Sequence, residues 1–137
     1  MIVIDASVAV AWIVASQRSR ASDELLKLAT KEQFVAPGLF AHEARNAVLV
    51  LERRGRLTGA QADAAIASTL DALIELEATP DHAVLALTMD IARTERLTVY
   101  DAACLELALR RRAKLASRDV DLLAAGKRRE ALCIDCR

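Results

Sequence analysis

Short apolar runs typical of strands alternate with longer amphipathic segments along most of the chain. The runs lie at residues 2–4, 34–36, 73–77, 115–116 and 132–134. Strands that alternate with helices favour a parallel sheet covered by helices on both faces. The chain has 137 residues, the usual size of one domain. The sequence therefore predicts an α/β fold, in which a single domain over residues 1–137 forms an α/β/α sandwich around a mostly parallel sheet.

Apolar spacing and capping residues predict the helices. In residues 41–54 the apolar positions recur at i, i+3, i+4 and i+7, which is one buried helical face. Gly55 is expected to end that helix. Helices are also predicted over 7–15, from Ser22 to 30, from the Thr58/Gln61 capping box to 72, and from Thr79 (N-cap) and Pro80 (N1) to 95. A further helix is predicted over 101–113, in which Glu106 pairs with Arg110. The last is a short helix that begins near 117–121 and is closed by Gly126.

Charge is balanced overall but clustered locally. Lys and Arg number 19 and Asp and Glu number 19, so any affinity for nucleic acid must come from local patches. Each basic cluster falls at the end of a predicted helix, where cations are favourable, and a solvated helix end is the favoured interpretation. The clusters are Arg53, Arg54 and Arg56; Arg110, Arg111, Arg112 and Lys114; and Lys127, Arg128 and Arg129. Aromatic residues are only 3%, which argues against binding of single strands by base stacking.

The cysteines and the amino terminus indicate a cytoplasmic protein. Three cysteines are too few for a disulfide framework and favour a reducing compartment. Cys133 and Cys136 form a C-x-x-C, but a zinc site needs about four ligands, and the two histidines are distant in sequence. The apolar amino terminus carries Asp5 and has no basic segment before it, so we do not expect a signal peptide. No run reaches the roughly 18 apolar residues of a membrane span.

Four acidic residues occupy equivalent places in the predicted fold. Asp5 and Asp119 closely follow predicted strands, whereas Glu43 and Asp101 lie in the first turns of helices. In open α/β sheets these places converge at the carboxyl ends of the strands. Carboxylates gathered there repel one another unless a cation neutralises them, and an all-oxygen ligand set suits Mg²⁺ or Mn²⁺. The pattern therefore indicates a metal site.

Each of these positions also has a structural explanation. Acids favour helix N-termini, and Thr98 with Asp101 fits a capping box. Neighbouring polar residues are candidates for a supporting role, in which they orient a carboxylate or a water molecule; these are Ser7, Asn46 and Ser117. Both serines are also ordinary N-cap residues. From the residues alone, capping and metal binding both remain open.

Four motifs give the chain a family resemblance. They are VIDASV at 3–8, APGLFAHEARNAVL at 36–49, RLTVYDAACLELA at 96–108 and LASRDVDLLAAG at 115–126. In this order and spacing they resemble PIN-domain proteins, and more narrowly the VapC-type toxins of bacterial toxin–antitoxin pairs. The match spans nearly the whole chain. The departures are mild: Ser117 stands where threonine is common, Cys104 where an aromatic residue is common, and His42 and Arg45 are more polar than is usual in that helix.

The resemblance implies a function and assigns residues to it. Asp5, Glu43, Asp101 and Asp119 correspond to an acidic quartet that holds one or two Mg²⁺ or Mn²⁺ ions, with Asp121 as a peripheral acid. The implied reaction is endonucleolytic cleavage of RNA, in which a metal-bound water attacks phosphorus and a ribose 3′-oxygen leaves. The resemblance also implies a homodimer and a cognate antitoxin whose tail lies in the active-site groove. Trp12, Leu39 and Phe40 are hypothetical contacts of that tail, with burial in the core as the alternative.

The acid that follows the first strand does not fit two other classes of α/β protein. A haloacid dehalogenase-type phosphatase needs a second acid two residues after the first, where this chain has Ser7. A phosphorelay receiver needs paired acids after the first strand, and Asp5 has no acidic neighbour. Two alternatives stay open: a catalytically silent PIN-like module that binds RNA or protein, and a PIN-type nuclease with another nucleic-acid substrate.

Overall fold

The computed structural model describes all 137 residues. Five parallel strands form one sheet in the order β3-β2-β1-β4-β5. The sandwich is confirmed, and its sheet is entirely parallel. Since the strands are parallel, all their carboxyl ends lie at the same edge. The strands are β1 (Ile2–Ile4), β2 (Phe34–Ala36), β3 (Ile74–Leu76), β4 (Lys114–Ser117) and β5 (Cys133–Asp135).

Helices follow the strands and connect them across the two faces of the sheet. They are α1 (Ala6–Ile13), α2 (Arg20–Leu26), α3 (Phe40–Arg53), α4 (Gly59–Ala65), α5 (His82–Glu95), α6 (Val99–Arg111) and α7 (Val120–Arg128). Short 3-10 segments cover Ala15–Gln17 and Lys27–Thr30, and a π-helical turn covers Ile66–Asp71. None of the helices has the length and apolar character that crossing a membrane requires.

The central strand β1 divides the core into two halves. Ile2 and Ile4 pack in the same cluster as Trp12, whereas Val3 packs with Leu105 on the other face of the sheet. This split follows from the alternation of side chains along a strand. It places α1 on one face and α6 on the other. Because α1 follows β1 and α6 leads back into β4, both helices begin at the carboxyl edge of the sheet.

Two predicted helix starts are wrong. Helix α2 begins after Ser19, whose hydroxyl accepts a hydrogen bond from the Ser22 amide, so Ser22 belongs to the first turn. Helix α5 begins after Asp81, whose Oδ1 accepts from the amide of Val84 at 2.9 Å. The predicted start at Thr79 and Pro80 therefore lies in the preceding loop.

The prediction for Gly126 is also wrong. This glycine lies inside α7, where it is fully buried. A Cβ at this position would lie 2.6 Å from Sγ of Cys133, so glycine allows α7 to approach β5 closely. Three local predictions are confirmed: Gly55 follows α3 with φ +70°, Thr58 and Gln61 form a capping box, and Arg110 Nε donates to Glu106 at 2.7 Å.

Ion pairs neutralise two of the three basic clusters in large part. Arg110 and Arg111 both bind Glu77, and Arg128 and Arg129 both bind Glu95. By contrast, the arginines at 53, 54 and 56 are exposed and form no ion pair. These clusters are helix ends, as the sequence suggested.

The C-x-x-C pair does not form a site of its own. Cys136 is buried in the cluster that contains Ile2, whereas Cys133 packs against the cluster on the other face. Both thiols are free, as is that of Cys104. The two thiols of the motif therefore lie on opposite faces of the sheet.

Candidate metal centre

The carboxyl edge of the sheet brings together the four acids that the sequence singled out. Asp5 directly follows β1, and Asp119 follows β4 by two residues. Glu43 and Asp101 lie in the first turns of α3 and α6. Their charges also repel one another: after burial, Asp5 and Asp101 raise the pKa of Glu43, and burial, Asp5 and Asp119 raise the pKa of Asp101. The four acids form one cluster, which we call the acidic cluster.

Asp5 is held by two serine hydroxyls. It is only 4% exposed, and its side chain does not cap α1 although it is the N-cap residue. Its Oδ2 accepts hydrogen bonds from the hydroxyl of Ser7 and, at 2.9 Å, from that of Ser117. These two hydrogen bonds fix the position of the carboxyl group at the end of β1.

The same serines organise the loop between β4 and α7. Oγ of Ser117 accepts from the amide of Asp119 at 2.9 Å, and Oγ of Ser7 accepts from the amide of Arg118 at 3.1 Å. Asp119 uses Oδ1 to cap α7 through the Leu122 amide at 2.7 Å. Its Oδ2 accepts no hydrogen bond from the chain and remains available to a ligand. Capping and ligand binding are therefore compatible in Asp119.

In Asp101, too, the local hydrogen bond leaves one carboxylate oxygen free. Its amide donates to Oγ1 of Thr98 at 3.1 Å, and the Thr98 hydroxyl donates to its Oδ2. Burial raises the pKa of Asp101, the hydrogen bond from Thr98 opposes that rise, and Asp5 and Asp119 add to it. The capping interaction with Thr98 is confirmed, but it occupies only one of the two carboxylate oxygens.

Glu43 is the least satisfied of the four. It accepts no hydrogen bond, and its Oε2 is buried without a partner. Burial, and then the charges of Asp5 and Asp101, raise the pKa of Glu43 to about 7. A buried acceptor without a donor is unfavourable, so this carboxyl group is poised to take up either a proton or a cation.

The acidic cluster has no cation of its own. None of its members forms an ion pair, although eight other acids do: Asp23, Glu24, Glu32, Asp71, Glu77, Glu95, Glu106 and Asp135. The donor set is made entirely of carboxylate oxygens, as Mg²⁺ and Mn²⁺ prefer. The unpartnered Glu43 Oε2 supports the same fit.

The side chains do not stand in coordination geometry. No three His, Cys, Asp or Glu groups converge closely enough to bind one ion. Electrostatic repulsion acts over longer distances than coordination does. The acids can therefore raise one another's pKa although their oxygens are too far apart to bind one ion. Binding of an ion would require the free oxygens of Glu43, Asp101 and Asp119 to move inward by side-chain rotation.

The supporting residues divide into two groups. Ser7 and Ser117 contact Asp5 directly. Asn46 and Asp121 are exposed and make no side-chain hydrogen bond. Asn46 is on the same helix as Glu43, but no side-chain hydrogen bond or ion pair joins it or Asp121 to the acidic cluster.

Two residues near the cluster were missed by sequence reasoning as parts of the site. Cys104 is buried, and its pKa is raised well above the usual value by burial and then by Asp5, Glu43 and Asp101. Its spacing of three from Asp101 places both on one face of α6, and this was the available signal. Arg118, between Ser117 and Asp119, is the other.

The hypothesis that three apolar residues contact a partner is wrong for two of them. Trp12 is 6% exposed, stacks on Phe34 and donates from Nε1 to the Ser22 carbonyl at 2.8 Å. Phe40 is 2% exposed, so both are core residues. Leu39 is half-buried and lines a cavity of about 270 Å³ between α5, α6 and the loop after β3. None of the four acids lines that cavity.

Comparison with protein-family models identifies the fold. The PIN domain model matches residues 2–128. The chain belongs to the PIN-domain family. The match includes all four acids and both serines that hold Asp5, and it ends before β5. No curated protein matches the chain.

Several solved structures resemble this PIN domain over nearly its full length. PAE2754 from Pyrobaculum aerophilum is 25% identical, with a TM-score of 0.74 over 97% of this chain and 88% of that one. VapC20 from Mycobacterium tuberculosis, described as a toxin that cleaves the sarcin-ricin loop, is 18% identical, with a TM-score of 0.66 over 92% and 95%. VapBC2 from Rickettsia felis, bound to a DNA fragment from its promoter, is 13% identical, with a TM-score of 0.69 over 100% of both chains.

Proposed function

We propose that this PIN domain is a Mg²⁺- or Mn²⁺-dependent endoribonuclease that acts as the toxin of a toxin–antitoxin pair. The observation that carries the proposal is the acidic cluster, whose four carboxylates come from four different elements and have no cationic partner. A structural role would leave each acid paired with a base or fully engaged in capping. Glu43 has neither kind of partner.

Each member of the cluster contributes in a distinct way. Asp5, Glu43, Asp101 and Asp119 would hold the ion, which when bound activates a water and stabilises the charge that develops on the phosphoryl oxygens. Ser7 and Ser117 orient Asp5, and Thr98 orients Asp101. Burial and the neighbouring acids raise the pKa of Glu43 to about 7 in the absence of an ion. Binding of a cation would lower that pKa, and Glu43 would then release its proton.

RNA is the proposed substrate because the four sequence motifs resemble those of VapC-type toxins. The description of VapC20 as a toxin that cleaves the sarcin-ricin loop supports an RNA target for a related fold. The three free cysteines suit a reducing cytoplasm, where cellular RNA is found.

A cognate antitoxin is the proposed inhibitor. One solved neighbour is a VapBC2 complex, which supports a partner of this kind. An arginine of the antitoxin would form strong bidentate hydrogen bonds with carboxylates, and the uncompensated acidic cluster is a suitable acceptor. Binding of this kind would compete directly with the metal ion.

We also propose a homodimer formed through α5 and α6. Leu85, Leu87 and Met89 of α5 are 46%, 48% and 39% exposed, and Val99 and Tyr100 of α6 are 44% and 51% exposed. Leu87 also lines an open groove between the two helices. Exposed apolar side chains on two adjacent helices favour association, and a second copy would bury them.

Cleavage of a mixed cellular RNA pool tests the proposed function. The purified chain, free of antitoxin, is incubated with RNA in Mg²⁺, in Mn²⁺ and in EDTA, beside Asp101→Asn and the matched control Asp63→Asn. Asp63 is exposed on α4 and makes no side-chain contact with the cluster. We expect cleavage in either metal, none in EDTA and none by Asp101→Asn, with the control unaffected.

Other outcomes separate the alternatives. Equal cleavage by Asp101→Asn would contradict the catalytic role of the cluster. A folded protein that cleaves no RNA and shows no Mn²⁺ binding that depends on these carboxylates would instead be a silent binding module. Cleavage of DNA in place of RNA would make the chain a PIN-type nuclease with another substrate.

A further inference from the structure

Arg118 occupies an unusual place beside the acidic cluster. It lies between Ser117 and Asp119, and its amide donates to Oγ of Ser7 at 3.1 Å. The flanking Asp119 amide is held by Oγ of Ser117 at 2.9 Å. The backbone of Arg118 is therefore fixed by the same two serines that hold Asp5.

The guanidinium group of Arg118 lacks a partner within the chain. Its Nε is buried without a hydrogen-bond acceptor, and it forms no ion pair. Seven other arginines form no ion pair, and all seven are exposed: Arg20, Arg53, Arg54, Arg56, Arg93, Arg96 and Arg112. Water satisfies an exposed guanidinium, whereas a buried N–H without an acceptor is unfavourable. Arg118 is the arginine that most needs a ligand.

Arg118 is carried by the loop that also holds Asp119, one residue away, and its amide is bound to Ser7, which contacts Asp5. Its guanidinium pairs with neither Asp5 nor Asp119. Its charge also acts on the Cys136 thiol: burial raises the pKa of Cys136 to about 11, Asp135 adds to the rise, Arg118 opposes it, and Asp5 adds to it. The loop at the carboxyl end of β4 therefore carries a cation that has no ion-pair partner.

We propose that Arg118 binds a phosphate of the RNA next to the scissile bond. This inference rests on the proposed nuclease function and adds a positively charged contact to a site whose other polar side chains are mainly acidic. A guanidinium presents several N–H donors in a planar fork that matches two phosphate oxygens. The carboxylates cannot contact phosphate themselves without a metal ion between them. Arg118 would therefore add a contact to the RNA backbone that the carboxylates cannot make.

A packing role is the structural alternative. The aliphatic stem of an arginine can cover apolar surface while its charged end reaches water, and Cys136 offers such a surface. Two substitutions separate the roles. Arg118→Met keeps an unbranched apolar side chain without charge, and Arg118→Lys keeps the charge without the planar fork.

The test measures RNA binding in a protein that does not cleave. All variants carry Asp101→Asn, and a fluorescein-labelled single-stranded RNA of mixed sequence is titrated in Mg²⁺ at several salt concentrations. Arg112→Met is the matched control, because Arg112 is exposed, unpaired and located at the amino end of β4, the opposite edge of the sheet. Thermal melting and Mn²⁺ affinity are recorded for each protein.

We expect Arg118→Met to weaken RNA binding about tenfold. The slope of log K against log salt should fall by about 0.7, the value for one phosphate contact with a single strand. Arg118→Lys should retain the slope and lose only part of the affinity. The melting temperature and the Mn²⁺ affinity should not change, and Arg112→Met should match its parent.

Two results would overturn the inference. Equal RNA affinity for Arg118→Met and Arg112→Met would show that the guanidinium does not contact phosphate. Loss of thermal stability in Arg118→Met with unchanged RNA affinity would establish the packing role. Cleavage by the wild type tests the nuclease function separately, so failure of the nuclease proposal and failure of the Arg118 contact give different readouts.

Discussion

The hydroxyl of Ser117 donates a hydrogen bond to Oδ2 of Asp5 at 2.9 Å, across 112 positions of sequence. The same oxygen of Ser117 accepts from the amide of Asp119. One buried hydroxyl therefore connects the ends of β1 and β4 and fixes the relative position of two acids. Residues that orient metal ligands in this way typically contribute 10- to 100-fold in affinity or activity.

Ser117→Ala should accordingly lower the Mn²⁺ affinity and the rate of RNA cleavage by about 10- to 100-fold. The free energy of unfolding should fall by about 1–3 kcal/mol, because the buried hydroxyl makes two hydrogen bonds and one of them is to a carboxylate. Ser117→Thr is the control, since it keeps the hydroxyl and introduces the residue common in the family. Titration calorimetry and melting curves measure both effects. An equal loss of Mn²⁺ affinity in the threonine variant would contradict the orienting role of the hydroxyl.

Glu43 should make the metal-free protein less stable as pH rises. Its pKa is raised from the ordinary value of 4.5 to about 7 in the folded chain, by burial first and then by Asp5 and Asp101. Between those values the folded state binds more protons than the unfolded state, so the free energy of unfolding falls as pH rises and levels off above about 7. Glu43→Gln should abolish this fall.

The size of the effect is limited because Glu43 is only half-buried. Solvent screening leaves about 1 kcal/mol, or about 4 °C in melting temperature, between pH 5 and 8. Melting in EDTA across this range measures it, with Glu130→Gln as the control on an exposed glutamate. A fall of equal size in Glu43→Gln would assign the pH dependence to another group.

Gly126 should be required for the packing of α7 against β5. A Cβ at this position would lie 2.6 Å from Sγ of Cys133, so we expect Gly126→Ala to destabilise the chain by about 1–3 kcal/mol. In a Cys133→Ala background the clash is absent, and alanine should then stabilise the helix by up to about 1 kcal/mol. Denaturant unfolding of the four proteins measures the coupling. Additive effects of the two substitutions would show that the close contact is unimportant.

The proposed dimer should depend on the face of α5 that carries Leu87. Leu87→Glu places a charge in the groove between α5 and α6 and should yield monomers, whereas the wild type should have twice the chain mass of 14.9 kDa. Leu132→Glu is the control, because Leu132 is 68% exposed outside this face. Light scattering after size exclusion measures the mass. A monomeric wild type, or a dimer unaffected by Leu87→Glu, would refute this interface.

Local sequence predicted the strands better than it predicted the helix starts. The β-branched run at β1 has one interpretation, whereas several residues compete as the N-cap of α2. Ser19 is the N-cap in the folded chain, and its hydroxyl also donates to the Cys136 carbonyl at 2.7 Å, 117 positions away. A contact so distant in sequence leaves no local signal. For the same reason the buried Nε of Arg118 could not be anticipated.

The positions of the four acids were predictable for a topological reason. In a parallel sheet every strand ends at the same edge, so Asp5 and Asp119 converge as soon as the strands are assigned. The hydrogen bonds from Ser7 and Ser117 follow from their closeness to these ends. The contribution of Asn46 and Asp121 depends on side-chain direction, which sequence spacing does not define, and both remain predictions from sequence alone.

The central claim is that the acidic cluster binds a divalent cation, and Mn²⁺ titration of the antitoxin-free protein at pH 8 tests it most directly. Calorimetry compares the affinities of the wild type, Asp101→Asn and the control Asp63→Asn, and melting curves establish that each protein is folded. We predict saturable binding by the wild type and the control, and at least tenfold weaker binding by Asp101→Asn. Equal Mn²⁺ affinity in all three proteins would contradict the assignment of these carboxylates as metal ligands.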